Sequence, residues 1–251
     1  MAILKTLTAP PSLPVLRLEP FTPAAFAPFG VCIETPRAST SPTNTSFPPA
    51  INANQGTALK YPHISSIVHT YPPPTPSTPE ATHNLHLFSC SPRALPPSGE
   101  FAVRILERHP CTTQTFIPLA FSDAASSDTP EAEAAAYVVI VAPTAADGWP
   151  VLEGVRAFRA ERGQAVTYSA GTWHAPMVVL GGRVDFVVVV AENGTAVDCE
   201  EVLIEGEGGE GKGKEDGGRN GEGGGVRVLL REEKEGGNWG LWEKGRGKAR
   251  L

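Results

Sequence analysis

Val184-Asp-Phe-Val-Val-Val-Val-Ala191 is the most strongly β-branched run in the chain, and Asn193-Gly194 follows it at once. Branching at Cβ favours extended backbone, and Asn-Gly is a tight-turn signal. The pair therefore predicts a strand, a hairpin and a return strand over Ala196–Ile204. Further short runs of the same kind recur along the chain: Val15–Leu18, Val31–Glu34, Ile64–Thr70, Leu85–Cys90, Phe101–His109, Thr113–Leu119, Tyr137–Ala142, Val155–Arg159 and Gln164–Tyr168. One stretch, Phe21–Gly30, reads as a short helix, with Thr22 as N-cap, Pro23 in the first turn and Phe21, Phe26 and Phe29 as core residues. Many short strands, turn signals between them and a single helix predict an all-β sandwich or barrel. No fixed-period repeat is visible.

The chain's 251 residues suffice for one large or two small domains, and its 26 Gly and 25 Pro are unevenly spread. Prolines crowd the part before residue 98, glycines the part after 205. Residues 1–14 read as a loose lead-in. Thr35–Pro49, Tyr71–Pro79 and Pro92–Gly99 read as loops, and Ser122–Ala136 as an acidic surface insertion. Between Glu205 and Gly225, eleven of 21 residues are Gly and most of the others are charged, a composition that cannot bury enough apolar surface to order itself. The expected organisation is a barrel over residues 1–204 and a disordered Gly-rich tail over 205–251, with a strand returning at 226–230.

The net charge is −6, and the tail carries ten Lys/Arg against ten Asp/Glu, so the whole acidic excess lies in residues 1–204. That balance argues against nucleic acid as a partner. Cys32, Cys90, Cys111 and Cys199 are widely spaced with no C-x-x-C pair, and prolines interrupt the first residues, so an intracellular chain with reduced thiols is expected. The longest apolar runs, Tyr137–Ala142 and Phe186–Ala191, are too short to span a bilayer, and a soluble protein is expected. Ala249-Arg250-Leu251 fits the small-basic-leucine pattern of a peroxisomal address.

Two stretches carry chemistry. In Gly163–Pro176, the strand Gln164–Tyr168 gives way to a turn around Gly171, and Trp173, His174 and Pro176 follow at once. This sets an imidazole just past a tight bend, at the mouth of a β-barrel. In the second stretch a period of two puts Val103, Ile105, Glu107 and His109 on one face, and Gln114 turns back toward it after Pro110–Thr112. A single histidine beside a proline turn is more often structural than catalytic. Two of them on separate strands, each next to aligned polar residues, point instead to one cavity shared by His109, Gln114 and His174. His63 sits in a loop or edge context, and His69, His83 and His86 read as surface residues.

Five blocks in the right order resemble the ureidoglycolate lyase family, its fungal branch especially. They are Glu-Pro-Phe-Thr leading to Phe29-Gly30, Asn54-Gln-Gly-Thr-Ala-Leu-Lys60, Glu-Arg-His-Pro-x-x-x-Gln-x-Phe-Ile-Pro-Leu at 107–119, Ala142-Pro143 with Gly-Thr-Trp-His-x-Pro at 171–176, and Asp185-Phe186 with Asp198-Cys-Glu-Glu-Val202. The resemblance covers roughly residues 15–204. Departures are the insertion at 122–136, the tail, and Ala175, where bacterial members carry a second His. The resemblance implies a cupin-like (RmlC-type) β-barrel or jelly roll with one or two short helices, usually a homodimer. It also implies cleavage of ureidoglycolate to glyoxylate and urea in allantoin breakdown.

Under that resemblance His174 is the general base on the substrate hydroxyl, and His109 the acid or orienting group, with the order between them open. Gln114 and Tyr168 hold the ureido group, and Glu107 belongs to the substrate site. Lys60 offsets the carboxylate with Asn54 and the backbone around Gly56, with Arg93 and Arg108 as alternatives. Trp173 walls the pocket. Cupins often hold a divalent metal, nickel being suggested for some members, and here His109, Gln114 and His174 occupy the ligand positions. Gln is a weak ligand for such an ion. The competing readings are another metal-dependent cupin enzyme, a non-catalytic small-carboxylate-binding barrel, and hydrolytic release of ammonia from the same substrate.

Overall fold

The computed structural model describes residues 3–35, 48–123, 135–195, 198–206, 225–233 and 239–240. Most of the loop expected at 35–49 and of the insertion at 122–136, the Gly-rich stretch from 207 to 224 and the terminal Ala249-Arg250-Leu251 lie outside these residues.

Strand Ala136–Ala142 is the spine, buried at all seven positions. Successive side chains of a strand alternate between its faces, so a wholly apolar strand needs cover on both. Tyr137, Val139 and Val141 enter one core with Phe116, Val166, Phe186 and Val188. Val138, Ile140 and Ala142 enter a second core with Val103, Leu106, Val202, Val226 and Val228.

The spine's sheet runs in the order Ile3–Ala9, Glu200–Gly206, Ile105–Arg108, Trp173–His174, Ala136–Ala142, Arg156–Ala160 and Glu19–Pro20, with Val178–Leu180 also on the spine. Across the first core lies a five-stranded sheet in the order Gly30–Glu34, Gln164–Tyr168, Gln114–Asp123, Gly182–Glu192 and Thr82–Cys90. Leu16–Arg17, Val226–Leu229 and Glu100–Val103 form a small sheet whose Val103, Val226 and Val228 belong to the second core. Two open sheets packed face to face make the expected all-β, cupin-like fold. The α-helix among the described residues is Pro23–Phe26, where the Thr22 hydroxyl accepts the Ala25 N–H as predicted for an N-cap. It seats Phe26 edge-on to Phe21 at 4.9 Å and to Phe158 at 5.7 Å. Arg156 grips Glu19 through two hydrogen bonds and donates a third to the Ala25 carbonyl. Among the described residues no helix is long and apolar enough to cross a membrane.

Four expectations are corrected. The lead-in contains a strand, Ile3–Ala9, paired in parallel with Glu200–Gly206; its side chains are mostly exposed, which removed the apolar alternation that would have marked it. Asn193-Gly194 makes no hairpin. Gly182–Glu192 pairs within the five-stranded sheet, whereas Glu200–Gly206 pairs with Ile105–Arg108 in the other. Asn193 is instead buried, its side-chain oxygen accepting the Thr195 N–H and hydroxyl in a turn that starts the crossing. The expected strand Phe101–His109 is broken at Arg104, and its halves join different sheets. Val103 and Leu106, three apart, thus share one core, and Val103 leaves the face of Glu107 and His109. Ile64–Thr70 is not a strand and makes only an isolated bridge, His69 to Thr112.

Candidate active site

Strand Gln164–Tyr168 ends in a turn closed by the Thr172 N–H on the Ser169 carbonyl at 3.0 Å. Gly171 sits in this turn at φ +79°, a conformation that disfavours any side chain. Its N–H donates to the His109 carbonyl at 2.8 Å, so the two histidine-bearing segments are joined through backbone. The short strand Trp173–His174 then lies between the spine and Ile105–Arg108, where His174 is directly opposite Glu107. Alternation sends the two side chains opposite ways. His174 lies flat on the Tyr168 ring at 4.0 Å and 14°. Trp173 enters the second core, its indole N–H on the Gly148 carbonyl and the Arg108 guanidinium over its ring at 4.6 Å.

Both imidazoles are oriented by main-chain carbonyls: His174 Nδ1 donates to Thr172 at 2.9 Å, and His109 Nδ1 to Asp198 at 2.6 Å. A carbonyl oxygen can only accept, so each Nδ1 carries the proton and each neutral ring keeps a lone pair on Nε2. The ring centroids are 5.7 Å apart. Neither Nε2 has a hydrogen-bond partner, and the same holds for the buried Gln114 Oε1 and Asp198 Oδ2. All four are acceptors. A buried acceptor without a donor is costly, so such a cluster calls for a donor-rich ligand or a cation. Glu107 Oε1 lies 3.5 Å from His174 Nε2, an ion-pair distance rather than a hydrogen bond.

Of these groups Glu107, His109, Gln114 and Asp198 wall a cavity of about 750 Å3 together with His86 and Phe88, whereas His174, buried beside Glu107, is not on its wall, so the cavity expected to be shared by His109, Gln114 and His174 is lined by the first two only. Burial would raise the Glu107 carboxyl, but the facing imidazoles of His174 and His109 win and hold it below the usual carboxylate value. Burial, with His174 as neighbour, lowers the His109 pKa and keeps that ring neutral. Burial raises the Asp198 carboxyl against the pull of the Cys111 N–H it accepts and of His109.

The structure thus gathers Glu107, His109, Gln114 and His174. It places other candidates elsewhere. Tyr168 is a fully buried platform beneath His174, and Trp173 braces its strand from behind; neither lines the cavity. Lys60, Asn54 and Gly56 lie on a two-stranded hairpin, Ile51–Ala53 with Ala58–Lys60, which pairs only with itself and is exposed. Arg93 sits over Phe101, and Arg108 is paired with Glu200 at 2.6 Å. Residues that sequence reasoning missed take part in the cavity. Asp198 was visible only as part of a resembling block. His86, read as surface, lines the wall and bonds Glu192 at 2.8 Å. Its signal was the alternation Asn84-x-His86-x-Phe88, which puts the polar residues of that strand inward.

A metal fits the donor set. Glu107, His109 and His174 each bring a ligand atom within 4.8 Å of the others, and the two Nε2 atoms lack partners. Two imidazoles and a carboxylate suit a divalent first-row ion.

The ureidoglycolate lyase family profile matches residues 13–208. A ureidoglycolate lyase of Schizosaccharomyces pombe is 38% identical over 184 residues, 72% of this chain and 86% of that protein. One from Saccharomyces cerevisiae is 37% identical over 152 residues, 56% of this chain and 69% of the relative. One from Burkholderia mallei is 36% identical over 174 residues, 69% and 81% respectively. With the match spanning the strands that carry both histidines, the chain belongs to the ureidoglycolate lyase family.

Proposed function

We propose that the protein cleaves ureidoglycolate to glyoxylate and urea, with the chemistry at the end of the cavity walled by Glu107 and His109, against which His174 is packed. The observation that carries this reading is the pair of carbonyl-anchored imidazoles, each with a bare Nε2. Ureidoglycolate is a carbinolamide. Its cleavage takes the proton from the hydroxyl oxygen, forms the aldehyde C=O, breaks the C–N bond, and delivers a proton to the departing nitrogen. One proton leaves oxygen and one arrives at nitrogen, so the ring that accepts the first can return it. His174 is the base, because its Nε2 is next to the ionised Glu107, which stabilises the imidazolium that forms. His109, held neutral, accepts a hydrogen bond from the substrate and orients it. Gln114 Oε1 and Asp198 Oδ2 accept from the ureido N–H groups, whose donors match these unpartnered acceptors.

A second reading has an observation behind it. If Glu107, His109 and His174 hold a divalent ion, nickel by family likeness, the ion supplies Lewis-acid polarisation of the substrate oxygens. A given Nε2 cannot serve as ligand and base at once, so chelation separates the two.

The deciding experiment follows glyoxylate, urea and ammonia from ureidoglycolate before and after dialysis against EDTA. One urea per glyoxylate with no ammonia is expected. Release of ammonia makes the reaction hydrolytic, and absence of turnover with intact fold returns the protein to the binding-barrel reading. Activity that survives EDTA favours histidine as base; loss restored by nickel favours the ion.

A further inference from the structure

His174, Glu107 and Glu201 stand in one row. Their strands, Trp173–His174, Ile105–Arg108 and Glu200–Gly206, are neighbours in the spine's sheet, with His174 opposite Glu107 and Glu107 opposite Glu201. Leu106 and Val202, also opposite each other, point the other way into the second core, so the row faces away from it. Cys199, at the entry to the third of these strands, lines the cavity with Glu107, His109 and Asp198. Glu107, Cys199 and Glu201, all half-buried, each bring a ligand atom within 4.8 Å of the others. Glu107 also belongs to the trio with His109 and His174, so one carboxylate joins two groups of three donors.

Such a grouping calls for cations. Like charges directly opposite across a strand pair are destabilising, yet Glu107 and Glu201 are so placed, and among the described residues no lysine or arginine lines the cavity. An independent sign is the His174 side chain, 3% exposed, whose unpartnered Nε2 lies 3.5 Å from Glu107 Oε1. A buried lone pair that faces a carboxylate oxygen is satisfied by a cation or a shared proton between them. We propose that Glu107, Cys199 and Glu201 hold a second divalent ion of the zinc class, next to the position formed by Glu107, His109 and His174, with the Glu107 carboxylate shared by both. Thiolate suits zinc, and carboxylates complete its donor set. Zn–S is about 2.3 Å and Zn–O about 2.0–2.2 Å, so two ligands of one ion stand no more than about 4.5 Å apart. A spacing within 4.8 Å therefore needs only side-chain adjustment to close on an ion. The two oxygens of Glu107 allow one for each ion. Two carboxylates and a thiolate against two divalent ions leave one positive charge. In the lyase reading, on which this last step alone rests, that charge meets the substrate carboxylate.

The test counts ions and does not depend on turnover, so it stands whether or not the lyase reading does. The full chain, stripped with EDTA, is titrated with cobalt(II) chloride, and bound metal is counted after gel filtration. Two equivalents per chain are expected, together with a sulfur-to-cobalt charge-transfer band in the near ultraviolet. Cys199→Ser is expected to lose that band and one equivalent while keeping the other. Should it fail to fold, Glu201→Gln serves instead, and its second equivalent is expected to bind at least about 10–100-fold more weakly. His174→Ala, which touches only the neighbouring position, is expected to keep the band. A single equivalent in the wild type, or none, overturns the second site. So does a band that survives Cys199→Ser, which assigns it to Cys32, Cys90 or Cys111. A band lost in a folded His174→Ala chain overturns it as well, because the thiol then belongs to the histidine site.

Discussion

His109 illustrates how burial sets a role. Its Nδ1 proton is committed to the Asp198 carbonyl, and burial with His174 as neighbour lowers its pKa. The role of His109 needs the neutral ring, which its lowered pKa preserves to below the ordinary histidine value of about 6.5. The stability linkage has the same sign. A group whose folded pKa is depressed contributes stability that is present above its unfolded value and lost as pH falls through the folded one. His109 and Glu107 both behave this way, whereas the raised Asp198 opposes them, its contribution being lost as pH rises. The part of the acid limb of kcat/KM that His109 contributes is therefore expected below pH 6.5, and Asp198→Asn should reveal a steeper acid-side loss in melting temperature. A limb above 7 would mean that a different group titrates. Both histidines and Gln114 were legible in sequence because turn residues flank them and the polar side chains keep a period of two. Lys60 was assigned by likeness alone, and nothing local could say that its hairpin pairs only with itself and leaves the lysine exposed.

At the scale of elements, the start of the helix and its aromatic seat were legible, since Thr22, Pro23 and the spaced phenylalanines are local signals, although the helix ends at Phe26, short of the Gly30 expected. Phe158, fully buried against Phe21, Phe26 and Phe29, is where that helix meets the sheet. Phe158→Ala is expected to cost about 3–5 kcal/mol in urea unfolding; a loss below 1 kcal/mol would mean the cluster is not a core. Strands with β-branched runs were found, and Gln164–Tyr168 was found with its true ends. What was hidden was pairing between distant segments. Ile3–Ala9 is held by Glu200–Gly206, almost two hundred residues away, and its exposed side chains give no periodic signal. The turn after Glu192 was readable as a turn, but its destination depends on which sheet has room for the next strand.

For the molecule as a whole, a doubly covered spine holds the strand of His174 against that of Glu107, and backbone hydrogen bonding adds His109. The account stands or falls on those two rings acting as one unit, which a double-mutant cycle measures. Glyoxylate release should be followed for wild type, His109→Ala, His174→Ala and the double variant, with circular dichroism confirming the fold. Each single change is expected to lower kcat/KM by about 10^2–10^4-fold, and the double variant to be little worse than the poorer single. Losses that multiply, or a single variant with near-normal turnover, would contradict a shared cavity chemistry.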